Sequence, residues 1–286
     1  MIFHDKRTVG VTVPNHVAEE IARNAEDYSG APAGSTCHSI LVFALADMPA
    51  GIVSKIRPMI GNLGTLPGVT MPSSHNAGDF GVFLIGAPHA HAITEEELAK
   101  RSDAHMDIDS VGEGAVVIAP VKVAQAGIIV GDVHAMQGDG EIAGHTTDVS
   151  AAVTIEVEVI KKLANDGPIL LPLRENLPPL ARLPSSEELE AARSLADSRG
   201  FDIQTEVAPI QVVGSGANLN EATMNGLERM ATLADMDIDE VKNRVTITGG
   251  IEIGRLPGIV HISMLTPMSR LEQIGIAHLV KEQYGL

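Results

Sequence analysis

The chain has 286 residues, 44% of them apolar, enough for one large domain or two closely packed ones at roughly 100 to 200 residues per domain. Its 37 acids against 20 bases give a net charge of −17, which repels phosphate backbones and anionic headgroups, so nucleic acid and membrane are not expected partners. With no Trp, two Tyr and five Phe, stacking platforms for bases or sugars are scarce, and a small polar ligand fits better.

The single cysteine, Cys37, allows no intrachain disulfide, and Met1 to Arg7 shows neither the apolar segment nor the cleavage site of a secretion signal, so the expected location is cytoplasmic. Thr8 to Val13 reads as a short strand, Asn15 as the cap of a helix through Asp27, and Ser39 to Ala46 as a central strand. Pro58 to Ser74, dense in Gly and Pro, reads as loop before an apolar strand from Phe80 to Ile85. Thr94 with Glu97 makes a capping box for a short helix ending near Arg101, and a loop follows from Ser102 to Ser110. Gly114 to Gly131 carries only one charge, Lys122, but Pro120, Gln125 and the valine content make it two buried strands rather than a membrane helix.

Val153 to Ile160 alternates apolar and polar residues, the pattern of a strand with one buried face. Five prolines between Asp166 and Ser186 mark a crossing connection. Beyond it, Ser186 caps a helix that carries Leu189 and Leu195 on one stripe and stops at Gly200; Val207 to Val213 is a strand. Asn220 opens a helix through Ala234, Val245 to Ile253 and Gly258 to Met264 form a strand pair, and the chain ends in a helix. The expected organisation is a β-rich α+β fold, with a β-rich domain over 1–165 and a closely packed α+β domain over 166–286.

One stretch stands out chemically. Gly131-Asp132-Val133-His134-Ala135-Met136-Gln137-Gly138-Asp139-Gly140-Glu141 places three carboxylates and a histidine among three glycines, directly after the buried-strand run Ile128 to Val130. Glycines at a strand end permit positive φ and close backbone approach, and loops on a rigid sheet are where chemistry tends to sit. Asp132 and Asp139 also suit simple Asx turns, and His134 suits a satisfied core histidine, so composition alone leaves those roles open. Two other motifs fail. Asp235-Met236-Asp237-Ile238-Asp239 has Glu240 where a calcium loop needs glycine and reads as a helix start, and Val213-Gly214-Ser215-Gly216 lacks the third glycine of a dinucleotide fingerprint.

The 131–141 stretch closely resembles the signature loop of the acetamidase/formamidase family. Ser102-Asp103-Ala104-His105-Met106-Asp107 corresponds to that family's His-Gly-Gly-Asn-x-Asp segment, with Asp107 kept and a histidine replacing the asparagine. Ser74-His75-Asn76-Ala77-Gly78-Asp79-Phe80-Gly81 resembles its His-Pro-Gly-x-x-Gly turn, and Leu227 to Val241 its late helix. The likeness runs over roughly residues 73 to 265, while the first seventy look unlike the family.

The resemblance implies a jelly-roll-like β-sandwich with an α+β portion, a divalent metal, and hydrolysis of a small carboxamide to carboxylate and ammonia. Amide hydrolysis needs a strong nucleophile at neutral pH, a cation or donor for the developing oxyanion, and a proton for the departing nitrogen, and metal-activated water with a carboxylate base supplies all three. On this reading Asp107, His134, His105 and His75 are candidate metal ligands and Glu141 is the general base and then acid. Asp132 is either a further ligand or the group that orients His134, and Gln137 and His145 are candidate substrate contacts. Zinc suits the histidine and carboxylate set, whereas an oxygen-richer set would suit calcium or manganese. A symmetric homo-oligomer, dimer or higher, is expected. Two alternatives stay open: the same fold and metal acting on another substrate or C–N bond, and a non-enzymatic metal-binding homologue.

Overall fold

The computed structural model describes residues 11–12, 40–45, 52–68, 94–142, 146–256 and 258–286. It is a mixed α+β protein with antiparallel sheets. The strands are β1 (Val11–Thr12), β2 (Ile40–Leu45), β3 (Ile52–Lys55), β4 (Met59–Thr65), β5 (Val116–Ile118), β6 (Ile128–His134), β7 (Ile169–Leu171), β8 (Val207–Ser215), β9 (Gly250–Arg255) and β10 (Ile259–Pro267). The helices are α1 (Glu95–Leu98), α2 (Ser186–Arg199), α3 (Leu219–Ala234), α4 (Ile238–Thr248), α5 (Met268–Ile274) and α6 (Ala277–Tyr284).

A five-stranded sheet in the order β5-β7-β8-β10-β9 forms the back of the molecule. Strands β8 and β10 pair along their whole length, from Ile259 opposite Ser215 to Pro267 opposite Val207, and β10 is buried at every position. That burial on both faces suits the mostly apolar composition of these strands, whose buried Gln211 and Ser263 hydrogen-bond each other at 3.0 Å. Helix α3 lays Ala222, Leu227, Met230 and Ala234 into the core beside Ile210, Val212, Ile262 and Met264. Each of the Leu, Ile, Val and Met side chains contributes roughly 1.5 to 3 kcal/mol by leaving water, and the alanines less. Strand β5, from the front half of the chain, forms one edge of this sheet by pairing with β7.

A second layer carries the chemistry. Strands β4 and β6 pair antiparallel from Met59 opposite His134 to Thr65 opposite Ile128. On the far side of β4 runs the 102–112 loop: Ile60 N–H donates to Val111 O, Leu63 N–H to Ala104 O, and Met106 N–H to Gly61 O, at 2.9 Å each. On the far side of β6 runs 147–149, where Ala135 N–H donates to Thr147 O and Val149 N–H to Val133 O, both at 2.9 Å. The lateral order is therefore 104–111, β4, β6, 147–149. In the first of these Met106 and Ile108, two residues apart, and Val111, beyond the turn closed by Val111 N–H to Ile108 O, pack against Leu170, Val213 and Ile259 of the back sheet, which fastens one layer to the other.

Local signals read from sequence hold at several ends. Thr94 and Glu97 form a reciprocal capping box, with Glu97 N–H to Thr94 Oγ1 at 3.2 Å and Thr94 N–H to the Glu97 carboxylate at 2.8 Å. Gly200 ends α2 in the left-handed conformation, and Asp237 caps α4 by accepting from Asp239 N–H at 2.8 Å. The caps of α2 and α3 are Ser185 and Asn218 rather than Ser186 and Asn220.

Five expectations are overturned. Ile128 to Val130 is strand, but Ile128 and Val130 are exposed rather than buried. Met59 to Thr65 is strand, not loop, because its glycines serve close approach rather than turning. Val153 to Ile160 forms no strand: it has no ladder partner among the described residues, and Val153, Ile155, Val157 and Val159 are exposed. Val245 belongs to α4, where it and Val241, one turn apart, face the core. Leu195 is 63% exposed, and Ala196 is the residue by which α2 reaches the interior. The predicted helix from Asn15 and strand from Phe80 lie outside the described residues.

Candidate functional site

Residues two apart on a strand share a face, and β6 presents Asp132 and His134 on one side in this way. The same spacing in the neighbouring loop presents His105 and Asp107 while Met106 and Ile108 turn to the core. The four side chains converge. His105 Nε2 stands 3.0 Å from Asp107 Oδ2 and 2.8 Å from Asp132 Oδ2, and His134 Nε2 stands 3.2 Å from Asp132 Oδ1 and 4.0 Å from Asp107 Oδ1. Asp148, on the far side of β6, brings Oδ1 to 3.6 Å from His134 Nε2.

Asp107 is buried to 0% exposure and His134 to 1%. Both Asp107 carboxylate oxygens and His134 Nε2 lack a hydrogen bond of regular geometry despite those close approaches. Buried polar atoms in native proteins are satisfied, and imidazole nitrogens with carboxylate oxygens facing a common point are the donor set of a divalent cation. The residues therefore fit a metal. The ligand atoms of His105, Asp107 and Asp132 lie within 4.8 Å of one another, and so do those of Asp132, His134 and Asp148.

The electrostatics follow from the crowding of acids. Burial opposes charge on His105, but the Asp107 and Asp132 carboxylates outweigh it and raise the imidazole to about 10. His134 moves upward against its own burial through Asp132 and Asp107, and the two histidines hold Asp132 well below the usual carboxylate range. Glu141 is pushed up to about 8, by burial first and then by Asp107 beside it. Asp139, the third acid of the loop, is raised by burial and by Asp109, its neighbour on the other side.

Three residues that sequence reasoning did not single out shape the site. Gly61 on β4 is its floor, since a Cβ there would lie 2.3 Å from Asp107 Oδ1 and 2.9 Å from Asp132 Oδ2. The only sequence signal was a glycine spaced three residues from another, which also suits a turn. Arg255 brings Nε to 3.3 Å from Asp107 Oδ2, placed by a register shift where β9 meets β10. A bulge of this kind re-aims a side chain, and glycine within a strand is its sequence mark: a Cβ on Gly254 would meet Met106 O at 2.4 Å. Asp148 carried no signal, because its role depends on pairing beside β6.

Gln137 is placed differently from the expected substrate contact. Its Nε2 donates to Asp107 O and, at 3.1 Å, to Gly254 O, while its Oε1 faces His134 Nδ1 at 2.8 Å. Asp107, Asp132 and Glu141 have φ of 48, 57 and 39°, as does Asp103 at 50°, a concentration of left-handed backbone at one place. Asp103 anchors the 102–110 loop: its carboxylate meets Arg229 Nη2 at 2.7 Å and Arg101 Nε at 3.0 Å, and accepts from Ser215 Oγ at 3.1 Å. His75 and His145 lie outside the described residues.

Among the described residues no helix is long and apolar enough to cross a membrane. No curated protein sequence matches the chain. Among solved structures, it is similar to an acetamidase from Bacillus halodurans, with 19% identity, a TM-score of 0.51, and coverage of 82% of this chain and 61% of that one. An acetamidase from Yersinia enterocolitica matches with 18% identity, TM-score 0.50 and coverage of 78% and 52%. A recombinant predicted acetamidase/formamidase from Thermoanaerobacter tengcongensis matches with 22% identity, TM-score 0.45 and coverage of 79% and 58%. The chain thus spans between 52% and 61% of the length of these relatives, and the first two show a shared fold. The profile of the Acetamidase/Formamidase family matches residues 1–269, including the first seventy, where sequence reading found no likeness, and the chain belongs to that family.

Proposed function

We propose that this protein is a metal-dependent hydrolase of small carboxamides of the formamide or acetamide kind, yielding carboxylate and ammonia. The observation that carries the reading is the convergence of His105, Asp107, Asp132 and His134 beside the buried Glu141, in a chain of this family. A divalent cation held there lowers the pKa of water and polarises a carbonyl. Zinc suits the two imidazoles; calcium or manganese would suit the carboxylates.

The chain's own residues divide the remaining work. Gln137 has both amide hydrogens directed at carbonyls, so its Oε1 accepts from His134 Nδ1–H; that fixes the tautomer and leaves Nε2 as the ligand atom. We assign Gln137 this orienting role in place of substrate contact. Arg255 steadies Asp107 from the opposite side. Glu141, with its carboxyl pushed up to about 8, takes a proton from the attacking water and returns it to the amide nitrogen as the C–N bond breaks. Asp132 serves as a ligand, while His75 and His145 stay in the proposal as a further ligand and a substrate contact.

The same reading includes a division at 165/166 into closely packed units sharing β5, a jelly-roll-like sandwich containing the β1-β2-β3 and β4-β6 ladders, a homo-oligomer, and a cytoplasmic location suited to a one-cysteine chain. A different amide or C–N bond is the second reading, favoured by His105 in place of the family's asparagine. The test is metal content together with ammonia release. Purified protein should hold at least one divalent cation per chain and release ammonia from a short amide. Protein that is metal-free as isolated, and takes up no cation on reconstitution, overturns the proposal.

A further inference from the structure

We propose that the site takes two divalent cations rather than one, with the Asp132 carboxylate bridging them and Asp148 completing the second position. This rests on the reading that the site binds metal, and goes beyond it in stoichiometry and in assigning Asp148. The two groups of ligand atoms, His105 with Asp107 and Asp132, and Asp132 with His134 and Asp148, share one residue. That residue divides its oxygens between them: Oδ2 is 2.8 Å from His105 Nε2, and Oδ1 is 3.2 Å from His134 Nε2.

The layer order explains why the groups are separate. His105 and Asp107 come from the loop outside β4, Asp148 from the segment outside β6, and Asp132 stands between on β6. Gln137 commits His134 Nδ1, so the one remaining ring atom, the buried Nε2, is aimed between Asp132 and Asp148 without a hydrogen bond. On the other side, Asp107 holds two buried oxygens that likewise lack one. His134 Nε2 is 4.0 Å from Asp107 Oδ1 but 3.2 Å from Asp132 Oδ1, so the two donor sets lie side by side with Asp132 between them. Paired ions in hydrolytic sites stand about 3.5 to 4 Å apart, within the reach of one carboxylate.

The test is the stoichiometry of manganese binding to chelator-stripped full-length protein, read by equilibrium dialysis with elemental analysis and by electron paramagnetic resonance. Wild-type protein is expected to bind two Mn²⁺ per chain and show the spectrum of a spin-coupled pair. Asp148→Asn should keep one equivalent, weaken the other at least tenfold, and show an isolated-ion spectrum; Asp148→Glu should restore the coupled signal. Circular dichroism confirms that each variant is folded, and the wild-type count stands by itself if one is not. One equivalent in the wild type, or an unchanged pair in Asp148→Asn, overturns the second position and leaves the amide-hydrolase reading intact. No binding at all overturns both.

Discussion

Replacing Gly61 by alanine tests whether β4 shapes the centre. The added methyl would lie 2.3 Å from Asp107 Oδ1 and 2.9 Å from both Asp132 O and Asp132 Oδ2, well inside van der Waals contact. Asp107 cannot simply swing aside, being fully buried between His105 at 3.0 Å and Arg255 at 3.3 Å. Overpacking of this kind costs about 1 to 3 kcal/mol, and here the carboxylate absorbs it by moving off the metal position. Displaced support of a ligand lowers metal affinity roughly 10- to 100-fold. The assay is Mn²⁺ affinity of stripped protein by calorimetry, beside urea denaturation. Gly64→Ala is the control: on the same strand, its Cβ would stand 2.7 Å from the Ala104 Cβ rather than from a candidate ligand, so it should destabilise while leaving affinity within about threefold. Equal affinity in Gly61→Ala and wild type would refute the reasoning.

Glu141→Gln should retain metal and fold but lower kcat about 10²- to 10⁴-fold, the range of a lost general base; a kcat within tenfold of wild type removes Glu141 from the mechanism. Arg229→Met leaves the buried Asp103 carboxylate with Arg101 as its remaining cationic partner and should cost about 3 to 5 kcal/mol in urea denaturation, a loss below 1 contradicting the anchoring role. His261, 1% exposed between β8 and β9, is pushed down by burial to about 4. It stays neutral in the fold while the unfolded chain protonates it below about 6.5, so its stability is present above that pH and is lost as pH falls toward 4. From pH 7 to pH 4 wild-type protein should therefore lose about 3 kcal/mol more than His261→Gln, and parallel pH profiles would contradict this.

What sequence revealed was local chemistry. The Thr94–Glu97 capping box, the Gly200 stop and the helix start at Asp237 depend on residues two to four apart, and the 131–141 loop announced itself because acids, a histidine and glycines rarely crowd together for structural reasons. Asp107 entered only through the family resemblance. Gly61, Arg255 and Asp148 stayed hidden because each acts across a ladder: Gly61 looked like a turn former, Arg255 needs the shifted register of β9, and Asp148 needs the segment beside β6. Gln137 sat in plain view, yet its role turns on contacts with the carbonyls of Asp107 and Gly254, residues distant in sequence. Val153 to Ile160 shows the reverse failure, since alternation signals a surface that could pair and not the presence of a partner.

The central claim is tested most directly by ammonia release from a panel of short amides, formamide and acetamide included, with the same preparation assayed as purified, after chelation and after metal is restored. The account predicts turnover that chelation abolishes and the restored cation recovers. Turnover that survives complete removal of metal, or none on any amide by protein with its cation bound, would contradict it.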